Sequence, residues 1–353
     1  MERFCCPTEI ISGKGALESL GNLGMERALI VTDPFFMENG VASRVGALTK
    51  AQHTDYFDRV TPDPSVELVA QGTELLRKCK PDTVIALGGG SAMDCAKAMV
   101  YFGTGDIRLV AIPTTSGSGS EVTDFAILTH EGVKHPLVDP KLRPQIAILD
   151  GELLKSLPPK LIADAGFDVL AHCLEAIAAT GGNSLTYALA QEAFCTVFAH
   201  LGESYRGNVQ VRDAIHLASA MAGMAFSQAG LGICHALSHA LGGSFHVPHG
   251  RLNAILLPNV VEVNAPAVQE RYAKLAKAAG LAGATQSMSV RNLRNGLIRL
   301  RRELGLPGSL QEAGIRLGDK KAAVLDAALA DPCCKTNPIV PDKAVLSRVL
   351  GYG

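Results

Sequence analysis

The run Thr83-Val-Ile-Ala-Leu87-Gly-Gly-Gly90-Ser-Ala-Met-Asp94-Cys-Ala-Lys97-Ala-Met-Val-Tyr-Phe102 decides how the first half of this chain folds. Residues 83–87 are short, apolar and rich in β-branched side chains, which reads as a buried strand. Three glycines punctuate it, and residues 91–102 then read as a helix. The same alternation continues outward. Residues 28–32, 109–112 and 145–149 read as strands, and residues 65–80 as an amphipathic helix with Val66, Val69, Leu75 and Leu76 on one side. Strands alternating with helices imply a mostly parallel sheet. After residue 150 the pattern is helical almost to the end, with breaks expected at Gly181-Gly182, Gly242-Gly243, Pro258 and Pro307-Gly308. The expected architecture is therefore an α/β, Rossmann-like domain over residues 1–150 and an all-α domain over residues 151–353.

Two loops in the first half carry a possible chemistry. Gly88, Gly89 and Gly90 let backbone N–H groups approach a phosphate at a helix N-terminus, while Ser91 has the simpler role of a helix cap open to it. The triplet is neither a G-x-G-x-x-G fingerprint nor a Walker A loop. A second run, Ile112-Pro-Thr114-Thr115-Ser116-Gly-Ser118-Gly-Ser120, follows the next strand and supplies hydroxyls and glycines suited to a diphosphate. Asp33 ends the first strong strand, where a carboxylate can accept from a ribose diol and repel a 2′-phosphate, favouring NAD over NADP. It is equally an ordinary turn residue in Thr32-Asp33-Pro34. Its place before the glycines departs from the usual Rossmann order, so a variant topology is expected.

The second half holds Leu231-Gly-Ile-Cys-His235-Ala-Leu-Ser-His239-Ala-Leu-Gly-Gly-Ser-Phe-His246-Val-Pro-His249-Gly250. His235 and His239 are four apart and share a helix face, and His249 follows a proline that marks a new segment. Asp168 and His172 repeat the four-residue spacing upstream. A lone histidine on an apolar face is more often a hydrogen-bonded core residue than a ligand. Four histidines in one stretch, with a buried Asp that needs a partner, favour a metal site. Imidazoles with one carboxylate suit Fe(II), Zn or Mn, and no thiolate is obviously included.

Composition closes off other classes. The 353 residues carry 33 Lys and Arg against 34 Asp and Glu, with no basic stripe, which argues against a nucleic-acid partner. No charge-free run suits a bilayer span. Residues 217–233 come nearest, and their small side chains and Gln228 fit a buried helix better. The first residues show no apolar signal core and leave little room for a targeting helix before the first strand. Nine cysteines match neither a disulfide framework nor a zinc ribbon, so reduced thiols are expected.

Taken together these motifs resemble the iron-dependent (group III) alcohol dehydrogenases, from Thr8-Glu-Ile-Ile-Ser-Gly-Lys-Gly15 to Asp331-Pro-Cys-Cys-Lys-Thr-Asn-Pro338. The most specific segments are Gly88-Gly-Gly-Ser91, Ile112-Pro-Thr-Thr115, Gly166-Phe-Asp168-Val-Leu-Ala-His172 and the histidine block. Within that family the likeness is to the propanol dehydrogenases of propanediol-utilisation microcompartments, carried by Thr61-Pro-Asp-Pro-Ser65, Gly88-Gly-Gly-Ser-Ala-Met-Asp94 and Ala222-Gly-Met-Ala-Phe-Ser-Gln-Ala-Gly-Leu-Gly232. The resemblance implies the dehydroquinate synthase-like, iron alcohol dehydrogenase fold. It implies Fe2+, with Zn2+ an alternative, on Asp168, His172, His235 and His249. His239 matches a residue near the nicotinamide and is a candidate proton relay. Asp33 matches the carboxylate that reads the ribose. Gly89, Gly90, Ser91 and Asp94 match the diphosphate loop, Thr114, Thr115 and Ser118 the second loop, and Lys134 a lysine that contacts the cofactor. Phe226 and Cys333 match positions near substrate, and Phe125 a further one where an apolar ring favours a short apolar substrate.

The implied activity is NAD(H)-linked interconversion of short aliphatic aldehydes and alcohols, with propanal and 1-propanol foremost. The protein is expected to be a cytoplasmic homo-oligomer, with microcompartment components as further partners. Two other readings are a zinc-dependent glycerol-type dehydrogenase and a dehydroquinate-synthase-like lyase. The lyase needs a cluster of basic residues for an acidic substrate, and none stands near the histidine block. A non-catalytic metal-binding or scaffold role fits poorly with an intact ligand set beside two cofactor loops.

Overall fold

The computed structural model describes residues 2–131 and 133–351. It divides into two compact units, Cys6–Ser156 and the chain from Leu157 onward joined by the residues before Cys6.

The first unit runs β1 (Glu9–Ser12), β2 (Arg27–Val31), α1 (Pro34–Glu38), α2 (Val41–Thr49), β3 (His53–Phe57), α3 (Val66–Cys79), β4 (Thr83–Gly88), α4 (Gly90–Phe102), β5 (Arg108–Pro113), β6 (Phe125–His130), β7 (Val133–Val138) and β8 (Ile146–Leu149). Six strands form one sheet in the order β1-β8-β5-β4-β2-β3, every neighbouring pair parallel. β6 and β7 form a separate antiparallel hairpin. Side chains alternate across β4. Val84 and Ala86 join a core with α3 and α4, and Ile85 and Leu87 join a core with Ala42 and Val45 of α2. Burial on both faces is why this strand reads as an unbroken apolar run.

From β2 the chain steps outward to β3, then returns to β2's other side for β4. That reversal puts the carboxyl ends of β2 and β4 side by side, the place where open parallel sheets bind ligands. α3 starts one residue after its expected N-terminus because Ser65 is the cap, accepting from Leu68 N. Val69 and Leu76 are buried as expected, whereas Val66, in the first turn, is largely exposed.

The second unit is helical: α5 (Pro159–Ala178), α6 (Ser184–Tyr205), α7 (Arg212–Ala229), α8 (Ile233–Phe245), α9 (His249–Ala278), α10 (Gln286–Glu303), α11 (Lys321–Ala330) and α12 (Lys343–Val349). α5 is apolar nearly all round and packs against α6, α7 and α9. α7 and α8 meet at an angle of 103°, and among the described residues no single helix is long and apolar enough to cross a membrane.

Two expected breaks are absent. α8 continues through Gly242-Gly243 to Phe245, where His246 closes it in the left-handed region with φ 54°. Packing of α8 as a whole against α9 and α11 offsets the roughly 1 kcal/mol of glycine penalty per residue. Pro258 lies inside α9, and the non-helical residue comes ten later, at Val268. A helical proline orphans the carbonyl four residues back. Here that carbonyl, Ala254 O, accepts from Arg301 Nη1 at 3.3 Å, which removes the reason to break. Cys79, Cys95, Cys173, Cys195, Cys234, Cys333 and Cys334 are free thiols.

Candidate metal centre and cofactor loops

α5 presents Asp168 and His172 on one face, and one turn further Glu175. α8 brings His235 and His239, and α9 begins with His249 behind Pro248. The Nε2 atoms of His172, His235 and His249 lie 3.8, 3.7 and 3.5 Å from Asp168 Oδ1. The ligand atoms of Asp168, His235 and His249 all fall within 4.8 Å of one another. The rings stack where they meet. His172 lies 4.6 Å from His235 and 4.2 Å from Phe226, centroid to centroid.

Backbone packing puts these groups in register. Arg251, two residues after His249, clamps both oxygens of Asp164, one turn before Asp168. Gly250 permits that closeness, because a Cβ there would stand 2.0 Å from the Asp164 carbonyl oxygen. Asn253 then donates from Nδ2 to Asp168 Oδ1 at 2.8 Å, its own Oδ1 accepting from Ser238 Oγ.

Glu175 is the residue that sequence reasoning missed. It is buried and accepts from the backbone N–H groups of Gly232 and Cys234, so it caps α8, whose own N-cap Gly232 has no side chain. It also takes the Nδ1 hydrogen of His235 at 2.6 Å. That bond occupies Nδ1 and leaves His235 Nε2 buried, without a hydrogen-bond partner, facing Asp168. A buried nitrogen 3.7 Å from a carboxylate needs positive charge between them, as a proton or as a metal ion. The ionisation tendencies agree. Burial opposes charge on both groups, yet the neighbouring imidazoles hold Asp168 far below the ordinary carboxylate range, and Asp168 and Glu175 bring His235 up to about 9.

His239 stands one turn along α8. Its Nδ1 donates to Asp331 Oδ2 at 2.8 Å, and its ring stacks on His249 at 5.1 Å. Asp331 caps the turn Pro332–Thr336 through Cys333 N. Burial works against its charge, but His239 and that N–H hold Asp331 at about 2. Cys333 sits beside this pair, and burial plus the Asp331 charge push its thiol well above the usual range, so it stays protonated.

In the other unit, Gly88 ends β4 at φ 151°, a conformation that favours glycine. A Cβ at Gly88 would meet Ala92 Cβ at 2.6 Å, and its next neighbour would be Asp33 Oδ2 at 3.8 Å. Cβ atoms on Gly89 and Gly90 would lie 3.5 Å from Thr115 Oγ1 and 3.4 Å from Ser118 Oγ. Thr114 N donates to Gly88 O. The two loops and Asp33 therefore converge at the reversal point of the sheet. α4 starts at Gly90 with no side-chain cap, so Ser91 is a first-turn residue rather than the cap. Ser91 Oγ instead accepts from Asp63 N, and Asp63 binds Lys134 Nζ at 2.6 Å. Gly132, the residue that opens the Lys134 motif, lies outside the described residues. Asp33 accepts from Phe36 N through Oδ1 and caps α1 ahead of Pro34, the structural role that its place in Thr32-Asp33-Pro34 suggested. Asp94 accepts from Ser120 Oγ at 3.0 Å. Phe125 opens β6, half-buried, with the Lys97 ammonium over its ring.

Residues 7–151 match the family model for iron-containing alcohol dehydrogenases, and residues 162–351 match the model for the C-terminal part of the same family. The chain belongs to the iron-containing alcohol dehydrogenase family. It is an alcohol oxidoreductase that interconverts alcohols and aldehydes. It is 39% identical to the 1-propanol dehydrogenase PduQ of Citrobacter freundii, covering 99% of each chain. It is also 39% identical to an NADPH-dependent butanol dehydrogenase of Clostridium saccharobutylicum, over 99% of this chain and 97% of that one. A solved sulfoacetaldehyde reductase from Bifidobacterium kashiwanohense, in complex with NAD+, superposes with a TM-score of 0.91 at 28% identity, over 100% of this chain and 98% of that one.

Proposed function

We propose that this iron-containing alcohol dehydrogenase uses NAD(H) to interconvert propanal and 1-propanol, and related short aliphatic pairs, at one divalent iron held by Asp168, His172, His235 and His249. The convergence of three imidazole Nε2 atoms on Asp168 Oδ1, with His235 Nε2 otherwise unpartnered, carries this reading. When bound, the metal acts as a Lewis acid toward the substrate oxygen, and the nicotinamide exchanges hydride with the substrate carbon. The chain's own residues do the rest. Glu175 and Asn253 orient His235 and Asp168. Asp331 holds the His239 ring through Nδ1, so Nε2 is the nitrogen left to exchange a proton with the substrate oxygen. Phe226, stacked on His172, supplies an apolar wall suited to a short alkyl chain.

Glu175→Gln keeps the shape but removes the charge and one of the two acceptor oxygens, so the N–H groups of Gly232 and Cys234 and the Nδ1 hydrogen of His235 can no longer all be accepted. The expected result is a loss of iron affinity of about ten- to a hundredfold, read by chelator competition. Unchanged affinity would remove Glu175 from the site.

The choice of NAD rests on Asp33. Asp33→Ser keeps a helix-capping side chain and deletes the charge that repels a 2′-phosphate. The ratio of kcat/KM for NADPH to that for NADH is expected to rise about tenfold or more, since a like-charge contact costs several kcal/mol. An unmoved ratio would place the discrimination elsewhere. The resemblance to propanol dehydrogenases extends the proposal to a homo-oligomeric enzyme working inside a propanediol-utilising microcompartment.

The deciding assay is NADH absorbance decay with propanal, on protein purified without oxygen and loaded with Fe(II), beside a chelated control. Rapid metal-dependent decay is the expected result. No decay with propanal or other short aldehydes, despite bound metal, would overturn the substrate assignment.

A further inference from the structure

Lys97 is only 1% exposed, yet it plays no part in the chemistry above. It lies on α4, one turn after Asp94. Its three Nζ hydrogens are shared among four oxygens, Ser120 Oγ at 2.9 Å, Thr123 O at 3.0 Å, Thr123 Oγ1 at 3.1 Å and Phe125 O at 2.9 Å. Ser120 in turn donates to Asp94 Oδ1. One face of α4 thus grips the segment that leaves the second polar loop and enters β6. That loop, Ser116-Gly-Ser118-Gly-Ser120, has no apolar side chain with which to anchor itself, and the next such residue is Val122. Burying an ammonium costs several kcal/mol, and a methionine of similar length would avoid that cost. The charge is retained where several oxygens must be held at once.

We infer that Lys97 is a positioning residue, fixing the 114–120 loop over the N-terminus of α4 so that the two loops form one diphosphate cradle. The inference rests on the nucleotide-binding reading of those loops. The same bonds lock the backbone of Phe125, so cradle and β6 are set together. The charged groups around Lys97 are Asp94 on α4, Glu121 on the turn Ser120–Val122, and Asp124, which binds Arg143 at 2.8 Å; Lys134 adds a weaker field at Asp94. Burial outweighs these carboxylates and draws the ammonium down to about 8, while it pushes Asp94 up to about 6 and Glu121 to about 7. The grip should therefore loosen as pH rises through the Lys97 range, with Asp94 and Glu121 already ionised.

The test is NADH affinity in the iron-loaded, full-length protein without aldehyde, followed by the fluorescence of NADH itself from pH 6.5 to about 9.5, a range set around the Lys97 value. Wild type is expected to bind NADH and to lose affinity as pH passes about 8. Lys97→Met is expected to weaken binding about ten- to a hundredfold while keeping its iron. Lys97→Arg, charged at every pH used, is expected to bind within a few-fold of wild type and to lack the fall above pH 8. A folded Lys97→Met with wild-type affinity would overturn the inference. If that variant fails to fold, a Lys97→Arg that keeps the wild-type fall would overturn it instead. If wild type binds no NADH at any pH, the cofactor reading itself fails and the inference falls with it.

Discussion

His235→Ala loses iron and turnover together. The imidazole is one of the three that converge on Asp168, and its other nitrogen is held by the buried Glu175 carboxylate. Removing it leaves Glu175 buried with only backbone partners and Asp168 with one fewer positive neighbour. Both effects weaken the site for a cation. A Lewis-acid contribution of several kcal/mol corresponds to a fall of roughly a thousandfold or more in propanal reduction. Metal analysis after reconstitution is expected to show little iron in the variant. A variant that retained full iron would show that the ligand set is wrong, whatever its activity.

His239→Ala separates chemistry from metal binding. Its Nδ1 is spent on Asp331, and it touches the cluster by stacking on His249. Iron content is therefore expected to stay near the wild-type level. Loss of a positioned acid–base group lowers kcat by about a hundredfold to ten-thousandfold, with a smaller change in KM. Asp331→Asn should follow in the same direction, and adding it to His239→Ala should cost almost nothing further, because the carboxylate acts through the imidazole. Loss of iron in His239→Ala, or full additivity of the pair, would assign His239 to the ligand set or Asp331 to a separate role.

The parts of this site that could be read from sequence are those with short-range spacing. Asp168 and His172 share a helix face at four residues, and the histidine block concentrates its donors in one segment. The supporting partners come from far along the chain. Asp331 meets His239 from 92 residues away and Asn253 meets Asp168 from 85, so no local pattern betrays them. Glu175 was nearer to hand. It continues the Asp168, His172 face of α5 by one more turn, and a buried acid there had to bind something. In the sheet, β2, β4, β5 and β8 were legible because they are apolar. β3, written His-Thr-Asp-Tyr-Phe at the sheet edge, and the largely exposed β7 carry too little apolar pattern to announce themselves, and β6, though it opens on the apolar run Phe125-Ala-Ile-Leu128, is only partly buried. The expected break at Pro258 failed for the complementary reason. The cure for its orphaned carbonyl is a guanidinium from α10, which local propensity cannot anticipate.

The most direct test of the central claim is a stoichiometric one. Chelator-stripped protein is titrated with Fe(II) without oxygen, and NADH-dependent propanal reduction is followed at each addition. The account predicts activity that rises in proportion to iron and levels off at one ion per chain in wild type, with no such rise in His235→Ala. Full turnover by the stripped protein, or an equal rise in His235→Ala, would contradict it.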